Sequence, residues 1–515
     1  MPITPFKNDM PTDWGKSENR EALNKNLEYV RTEFGKEYPL IIGGKEVSKE
    51  NKLASYNPAS HHEVIGYVSQ AGKEDIEEAI TAAKKAHEGW GAITFLERAR
   101  YLFKAAKIME RRKPELVAWQ IYEAGKNWAE ADGEINEAID FLEMYARKAI
   151  ELEQGENLVT IPGIENHLEY KPLGVGAVIS PWNFPLAIVT GMTVSAIVTG
   201  NTVLLKPASL TPIVAAKFME IMHEAGVPDG VINYIPGSSR EIGDDLVTHR
   251  DINFISFTGS MEAGLHIDEL AHKRIPNQRW VKRVVAEMGG KNGIVVDESA
   301  DLDAAADGIV TSAFGYQGQK CSAGSRAIIH ESVYNEMVDK IVERTKKLHV
   351  GPGTENNPIG PVIDDKAFKN INEYIEIGKE EGKLAFGGNS DNTEGYYITP
   401  TIFKDVAPGS RIMKEEIFGP VLAICKASSV EEGIDVYNDT QFGLTGALYT
   451  NNREQISYAR RKMECGNLFL NGKCTGALVG IQPFGGYYMS GTGEKTGTLE
   501  YLLHFVQAKT IAENF

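Results

Sequence analysis

The sequence predicts an α/β protein with two doubly wound parallel-sheet domains and a small β arm. Three observations lead there. At 515 residues the chain is too long for one simple core. Strand-like and helix-like runs alternate from Val175 to His272 and again from Arg283 to Thr450, and alternation at that spacing makes parallel βαβ units. Two non-contiguous stretches with β-like patterns, 155–172 and 495–515, lie at the margins of both.

Taken in order, residues 1–37 form a polar, charged leader with helical spacing at Leu23, Leu27, Val30 and Phe34, hence an arm or surface helix. Tyr38–Val47 reads as a hairpin turning at Gly43-Gly44. Helices are predicted over Lys73–Trp90, Thr94–Arg112, Pro114–Ala124 and Asn127–Leu152, all rich in Ala, Glu and Lys. The first alternation has strands at Gly176–Ile179, Thr202–Leu205, Val231–Ile235 and Asn253–Thr258. Its helices are Leu186–Val198, Thr211–Glu224, Glu241–Thr248 and Met261–His272. The second begins with strands Arg283–Glu287 and Gly293–Val296, then helix Leu302–Phe314, strand Arg326–His330 and helix Glu331–Leu348. Beyond the Gly- and Asn-rich segment 351–398 come Glu415–Ala423, helix Ser429–Asn438 and strand Gly446–Thr450. The domains expected are an N-terminal arm (1–37), a first domain (38–154 with 173–283), a second (284–494), and the β arm (155–172 with 495–515).

Composition narrows the function. A formal net charge of −17 argues against nucleic-acid or anionic-membrane partners, which need basic surface. The four cysteines (Cys321, Cys425, Cys465, Cys474) make no disulfide framework and no C-x-x-C metal site. No secretory h-region follows Met1, so the compartment expected is a reducing cytoplasm. Residues 172–205 carry no charge, but Pro181, Pro185, Gly191 and Gly200 break the span, so it reads as strand, turn, helix and strand rather than a membrane helix.

The chemistry centres on Phe314–Arg326, where Cys321 sits among three glycines with Lys320 and Arg326 nearby. Cationic surroundings favour a thiolate, and small neighbours let backbone N–H groups face an oxyanion. Alone, the stretch reads equally as a buried cysteine in a Gly-rich turn. Asn183, between Pro181 and Pro185, offers a fixed amide to an oxyanion, or is a plain turn residue. Glu287, ending a β-branched strand before Met288-Gly289-Gly290, is a candidate general base or a surface Glu. Lys206 at a strand end could reach a ribose or phosphate. Gly259-Ser260 opens a helix whose N-terminus suits a phosphate, although the G-x-G-x-x-G spacing is missing; Gly237 and Gly243 follow another strand.

Together, Cys321, Glu287 and Asn183, with Lys206-Pro207 and Glu416-Ile417-Phe418-Gly419-Pro420, resemble the aldehyde dehydrogenase superfamily from about residue 38 to the end. Leader and core pieces (Gly35–Leu40, Glu137–Leu142, Gly318–Ala323, Cys474–Gly480) resemble its bacterial branch that oxidises L-glutamate γ-semialdehyde, formed from 1-pyrroline-5-carboxylate. The resemblance implies that fold, with the β arm joining subunits of a homodimer or dimer-based oligomer. It implies Cys321 as nucleophile, Asn183 and the Cys321 N–H as oxyanion donors, and Glu287 as the base for thioester hydrolysis. It assigns NAD to Ser180, Pro181, Trp182, Lys206, Ser209, Gly237, Gly243, Phe257, Thr258, Gly259, Ser260, Met288, Gly289, Glu416 and Phe418. The substrate would meet Gly476, Ala477 and Ser322 with its α-carboxylate, Glu137 with its α-ammonium, and Phe184 and Phe484 with its stem. Where the superfamily commonly has Glu, this chain has Ser209, which relaxes the exclusion of NADP. Rival readings are another ω-semialdehyde or aliphatic aldehyde as substrate, a non-redox cysteine acyl hydrolase, and a non-catalytic binding protein.

Overall fold

A computed structural model describes residues 4–155 and 158–515; Met1–Ile3 of the leader and Glu156 and Asn157 of the first arm stretch lie outside the described residues. The first sheet contains β1 (Leu40–Ile42), β2 (Lys45–Val47), β3 (Val175–Ile179), β4 (Thr202–Lys206), β5 (Ile232–Tyr234), β6 (Phe254–Thr258) and β7 (Arg283–Glu287). Their spatial order is β7-β6-β3-β4-β5-β1-β2. Neighbours are parallel from β7 to β5, and the β1–β2 hairpin closes one edge antiparallel. That hairpin turns where predicted, at Gly43 (φ 58°) and Gly44 (φ 77°), because a two-residue turn matching strand twist needs positive φ twice.

β3 and β4 are buried at every residue, as strands covered on both faces must be. Val178, Val203 and Leu205 face a core shared with the helices Ala187–Val198, Pro212–Ala225, Phe95–Arg111, Lys113–Ala124 and Trp128–Glu153. Ala177, Ile179 and Leu204 face the opposite core, under Lys73–Trp90 and Met261–Ala271. Thr94 and Asn127 accept from Glu97 N–H and Glu130 N–H and so start two of the long helices as side-chain caps. The leader helix, Ser17–Thr32, is no loose surface element: Leu23, Leu27 and Val30 are buried in the larger core.

Several boundaries need correction. β7, assigned by sequence to the second alternation, pairs in register with β6. The expected boundary at 283/284 therefore cuts a strand, and the first domain runs through Glu287. A strand's own residues do not say which sheet it will join. The predicted helix at 241 begins earlier, with a wide turn over Ser239–Gly243 leading into Asp244–Thr248.

The second sheet contains β8 (Asn292–Val296), β9 (Gly324–His330), β10 (Lys383–Phe386), β11 (Thr401–Lys404), β12 (Val421–Ala427), β13 (Thr445–Tyr449) and β14 (Asn467–Leu470), in the order β10-β11-β12-β9-β8-β13-β14. All its pairs are parallel except β10–β11. Glu415–Pro420, expected as part of a strand, is loop; the strand begins at Val421. The segment 351–398 hides a helix, Asp365–Glu381, held by buried Phe368, Ile371 and Ile375.

Ile164–Pro172 pairs antiparallel along its whole length with Val506–Asn514 as a two-stranded ribbon. The stretch 495–505, expected in that arm, does not belong to it: Tyr501, Leu502 and Phe505 are buried in the larger core. Among the described residues no helix is long and apolar enough to cross a membrane.

Candidate active site

The chain reverses direction across the first sheet at β3: β4 and β5 are laid down to one side, β6 and β7 to the other. In open parallel sheets ligands sit beyond the carboxyl ends of the strands at such a point. Ser180–Phe184 follow β3 there, Lys206 ends β4, Gly259-Ser260 follow β6, and Glu287 ends β7 beside Thr258.

Helix N-termini open into the same region. Two are already neutralised by buried glutamates. Glu134 accepts from Leu186 N–H (2.7 Å) and Ala187 N–H (3.0 Å), and Glu123 from Ile213 N–H (2.9 Å) and Val214 N–H (2.7 Å). The Met261–Ala271 helix has only the exposed Ser260 hydroxyl as its cap, accepting from Ala263 N–H at 3.3 Å. It is the end left for an anionic group.

The remaining pieces fit a dinucleotide. Lys206 is buried, its nearest acceptor is the Pro207 carbonyl at 3.4 Å, and burial lowers its ammonium to about 8. The Ser180 hydroxyl is buried without a partner, and the Ser209 hydroxyl faces the Gly237 carbonyl at 3.4 Å. Glu416 accepts from Gly290 N–H at 2.8 Å, and burial raises its carboxyl to about 7. A Cβ on Gly289 would stand 2.3 Å from that carboxylate, so only glycine leaves this cradle open. Trp182 meets Phe418 edge-on at 5.5 Å.

Three more residues of the expected cofactor set are fixed by their own surroundings. Phe257 and Met288 are buried in the core, where the Met288 sulfur fills the space above Gly264. Gly243 sits inside the Ser239–Gly243 turn, its backbone used there rather than in a phosphate loop.

The loop that carries Cys321 leaves the Leu302–Phe314 helix through Tyr316 (φ 49°), Gln317 (φ 55°) and Gly318 (φ 68°), three consecutive left-handed residues. Such a run costs energy at non-glycine positions and persists only where surroundings dictate it. Here Tyr316 Oη donates to the Ala124 carbonyl (3.1 Å). Gln317 Nε2 donates to the carbonyls of Pro361 (2.8 Å) and Gly125 (3.2 Å), and Gln319 Oε1 accepts from Ile363 N–H (2.9 Å). Asn183 Nδ2 then donates to the Gln319 carbonyl at 3.0 Å, two residues before the half-buried Cys321.

The electrostatics overturn one expectation. Lys320 is paired with Glu130 at 2.8 Å, and the buried Arg326 donates to the carbonyls of Lys291 and Tyr437, so neither favours a Cys321 thiolate. Burial, then Glu287, Glu416 and Glu137, push the thiol far above its ordinary value; only the Ser322 N–H favours the thiolate.

Glu287 is buried, neither carboxyl oxygen has a hydrogen-bond partner, and burial followed by Glu494 holds it well above the carboxylate range. The Glu287 Oε1 atom has room because Gly485 carries no Cβ; one there would be 3.1 Å away.

On the Trp128–Glu153 helix, Glu130 pairs with Lys320 and Glu134 with the buried Lys126, whereas Glu137 has no cation partner among the described residues. Burial, then Glu134, raises Glu137 to about 8. Phe184 packs against Tyr316 with ring centroids 6.1 Å apart, and Lys126 Nζ lies 4.3 Å over its ring. Ser322 is buried, and its carbonyl faces Thr445 Oγ1 at 3.4 Å. Gly476 is exposed at φ 76°, Ala477 follows half-buried, and Phe484 is bridged to Thr496. Cys474 is wholly buried, a packing residue.

Asn292, Gly290, Gln317 and the Glu130–Lys320 and Glu134–Lys126 pairs were missed by sequence reasoning. The one local signal was the Gly-Gly-Lys-Asn run directly after Glu287-Met288. The arrangement as a whole suits acyl chemistry at a thiol, with a carboxyl at hand for water and a dinucleotide crevice opposite.

The sequence profile of the Aldehyde dehydrogenase family matches residues 11–511. The 1-pyrroline-5-carboxylate dehydrogenase of Geobacillus thermodenitrificans is 53% identical over 514 residues, covering 100% of both chains. That of Bacillus subtilis is 53% identical over 505 residues, 98% of each. A crystal structure of 1-pyrroline-5-carboxylate dehydrogenase from Thermus with bound NAD superposes with a TM-score of 0.98 at 48% identity, covering 100% of both chains.

Proposed function

The chain belongs to the aldehyde dehydrogenase family, and from that premise we propose how its residues divide the NAD-dependent oxidation of L-glutamate γ-semialdehyde to L-glutamate. The observation that supports the reading is Gly290, which lies against the Cys321 carbonyl while its N–H binds Glu416, with Asn183 bonded to the loop that holds the sulfur.

NAD, when bound, accepts the hydride. Lys206, Ser209 and Ser260 would hold its adenosine and pyrophosphate side, and Glu416 with Phe418 the nicotinamide ribose. Cys321 attacks the aldehyde carbon, and the Asn183 amide with the Cys321 N–H steadies the oxyanion. Loss of hydride leaves a thioester on Cys321. Glu287, whose elevated affinity for a proton suits a base, draws one from the attacking water. Dividing one hard oxidation in this way gives two easier steps. Glu137 receives the α-ammonium, the Gly476-Ala477 backbone and Ser322 the α-carboxylate, and Phe184 and Phe484 flank the stem.

Cys321→Ala tests the reading: NADH absorbance with the semialdehyde should fall to background, and retained turnover would exclude this site. With Ser209 facing only a carbonyl, NADP is a slower second cofactor; steady-state kinetics showing no NADP turnover would remove that point. The ribbon of Ile164–Pro172 and Val506–Asn514 supports a homodimer or dimer-based oligomer, because its outer edges carry unpaired backbone groups. The four free cysteines support a cytoplasmic location, since a reducing compartment keeps thiols unpaired.

A further inference from the structure

Asn292 opens β8, five residues after Glu287 closes β7, so it stands where the chain crosses from one sheet to the other. Its side-chain amide is saturated in a particular way. Nδ2 donates to the Cys321 carbonyl at 2.7 Å and to the Ala323 carbonyl at 2.9 Å, while Oδ1 accepts from Thr445 N–H at 2.9 Å. The carboxamide is the neutral group that supplies two donors and an acceptor in one plane; an aspartate offers no donor and a serine only one. The Cys321 carbonyl is hemmed in from the same side by Gly290, where a Cβ would lie 2.4 Å from that oxygen. Gly290 is in turn fixed through its N–H by Glu416.

Cys321 C=O and Ser322 N–H belong to one rigid peptide plane. Gripping the oxygen therefore fixes that plane, and the second grip, on the Ala323 carbonyl, fixes the residues that follow it. We infer that Asn292 is a positioning residue for the thiol step: by holding the Cys321 and Ala323 carbonyls together it fixes the backbone turn that carries the sulfur. The inference rests on Cys321 being the nucleophile. Glu287, Glu416 and Glu137, the charged groups that face the same sulfur, are unaltered in the variants below, so they do not confound the comparison.

The test compares full-length wild type, Asn292→Ala, Asn292→Ser and Cys321→Ala at one pH. Three experiments are run: steady-state kinetics for kcat and KM with the semialdehyde and NAD, the rate of Cys321 alkylation by iodoacetamide followed by peptide mass, and thermal melting. Asn292→Ala should lose about 10- to 100-fold in kcat, the scale of a reacting group misplaced by a fraction of an ångström. Its alkylation rate should fall in parallel while KM for NAD stays within about twofold, and Asn292→Ser should recover part of both losses through its single donor. If Asn292→Ala does not fold, the serine variant alone decides, with an intermediate alkylation rate expected. Unchanged kcat and alkylation would overturn the inference. So would a kcat loss with normal alkylation, or a loss that tracks melting temperature and NAD affinity. Turnover retained in Cys321→Ala would instead remove the underlying reading, which makes the two failures distinguishable.

Discussion

The buried Glu287 and the half-buried Glu137 are carboxyl groups whose folded-state proton affinity exceeds that of the unfolded chain. For Glu287 the folded protein keeps a proton over a pH range in which the unfolded chain has lost it. Stability therefore falls as pH rises through that range and the loss is complete above the folded value. Glu287→Gln should remove that slope, so melting curves of variant and wild type diverge in the variant's favour as pH increases. The same variant should lose about 100- to 10,000-fold in kcat, the range for a missing general base, while still releasing one NADH per site in a stopped-flow burst. At Glu137, raised to about 8, an arriving ammonium must find the ionised form. KM for the semialdehyde should then fall as pH rises towards about 8, with proton release on binding. Glu137→Gln should raise KM about 10- to 100-fold, the equivalent of ~1.5–3 kcal/mol for a hydrogen bond to a charge, and should flatten that pH dependence. Kinetics with a plain aliphatic aldehyde should be untouched. These residues were legible as residue types at strand ends and on a helix. Asn292 was not, because its meaning lies in two carbonyls 29 and 31 positions away.

Elements were legible where capping and periodicity coincide. Thr94 and Asn127 mark helix starts, and the Lys73–Trp90 helix was bounded correctly by its apolar stripe alone. They were lost where composition hid the period, as with Phe368, Ile371 and Ile375 inside a stretch that looks like loop. The leader helix shows the same limit: its spacing was visible, but its burial depends on the Lys113–Ala124 helix it packs against. Leu23, wholly buried there, gives a direct check. Leu23→Ala should cost about 2–5 kcal/mol in urea denaturation, with kcat of the folded fraction unchanged.

At the scale of the molecule, both sheets follow from the two alternations, but their seam does not. β7 could be given to either sheet until its register with β6 is known, and Glu287 travels with that choice. The arm ribbon likewise declares an edge without saying what covers it. Exposed Val159 and Phe515, 90% and 86% accessible, lie at its approaches. Removing residues 507–515 should leave slower-sedimenting monomers in place of the proposed dimer or dimer-based oligomer, measured by analytical ultracentrifugation; an unchanged sedimentation coefficient would exclude the arm as the joint.

The three left-handed residues before Cys321 have a consequence in time. Tyr316 is held by the Ala124 carbonyl and Gln317 by the carbonyls of Gly125 and Pro361, segments that lie on either side of them in the chain, so the loop cannot settle until both are in place. A refolding polypeptide should regain helical circular dichroism well before it regains turnover. The interval between the two signals is the time that the Cys321 loop takes to mature.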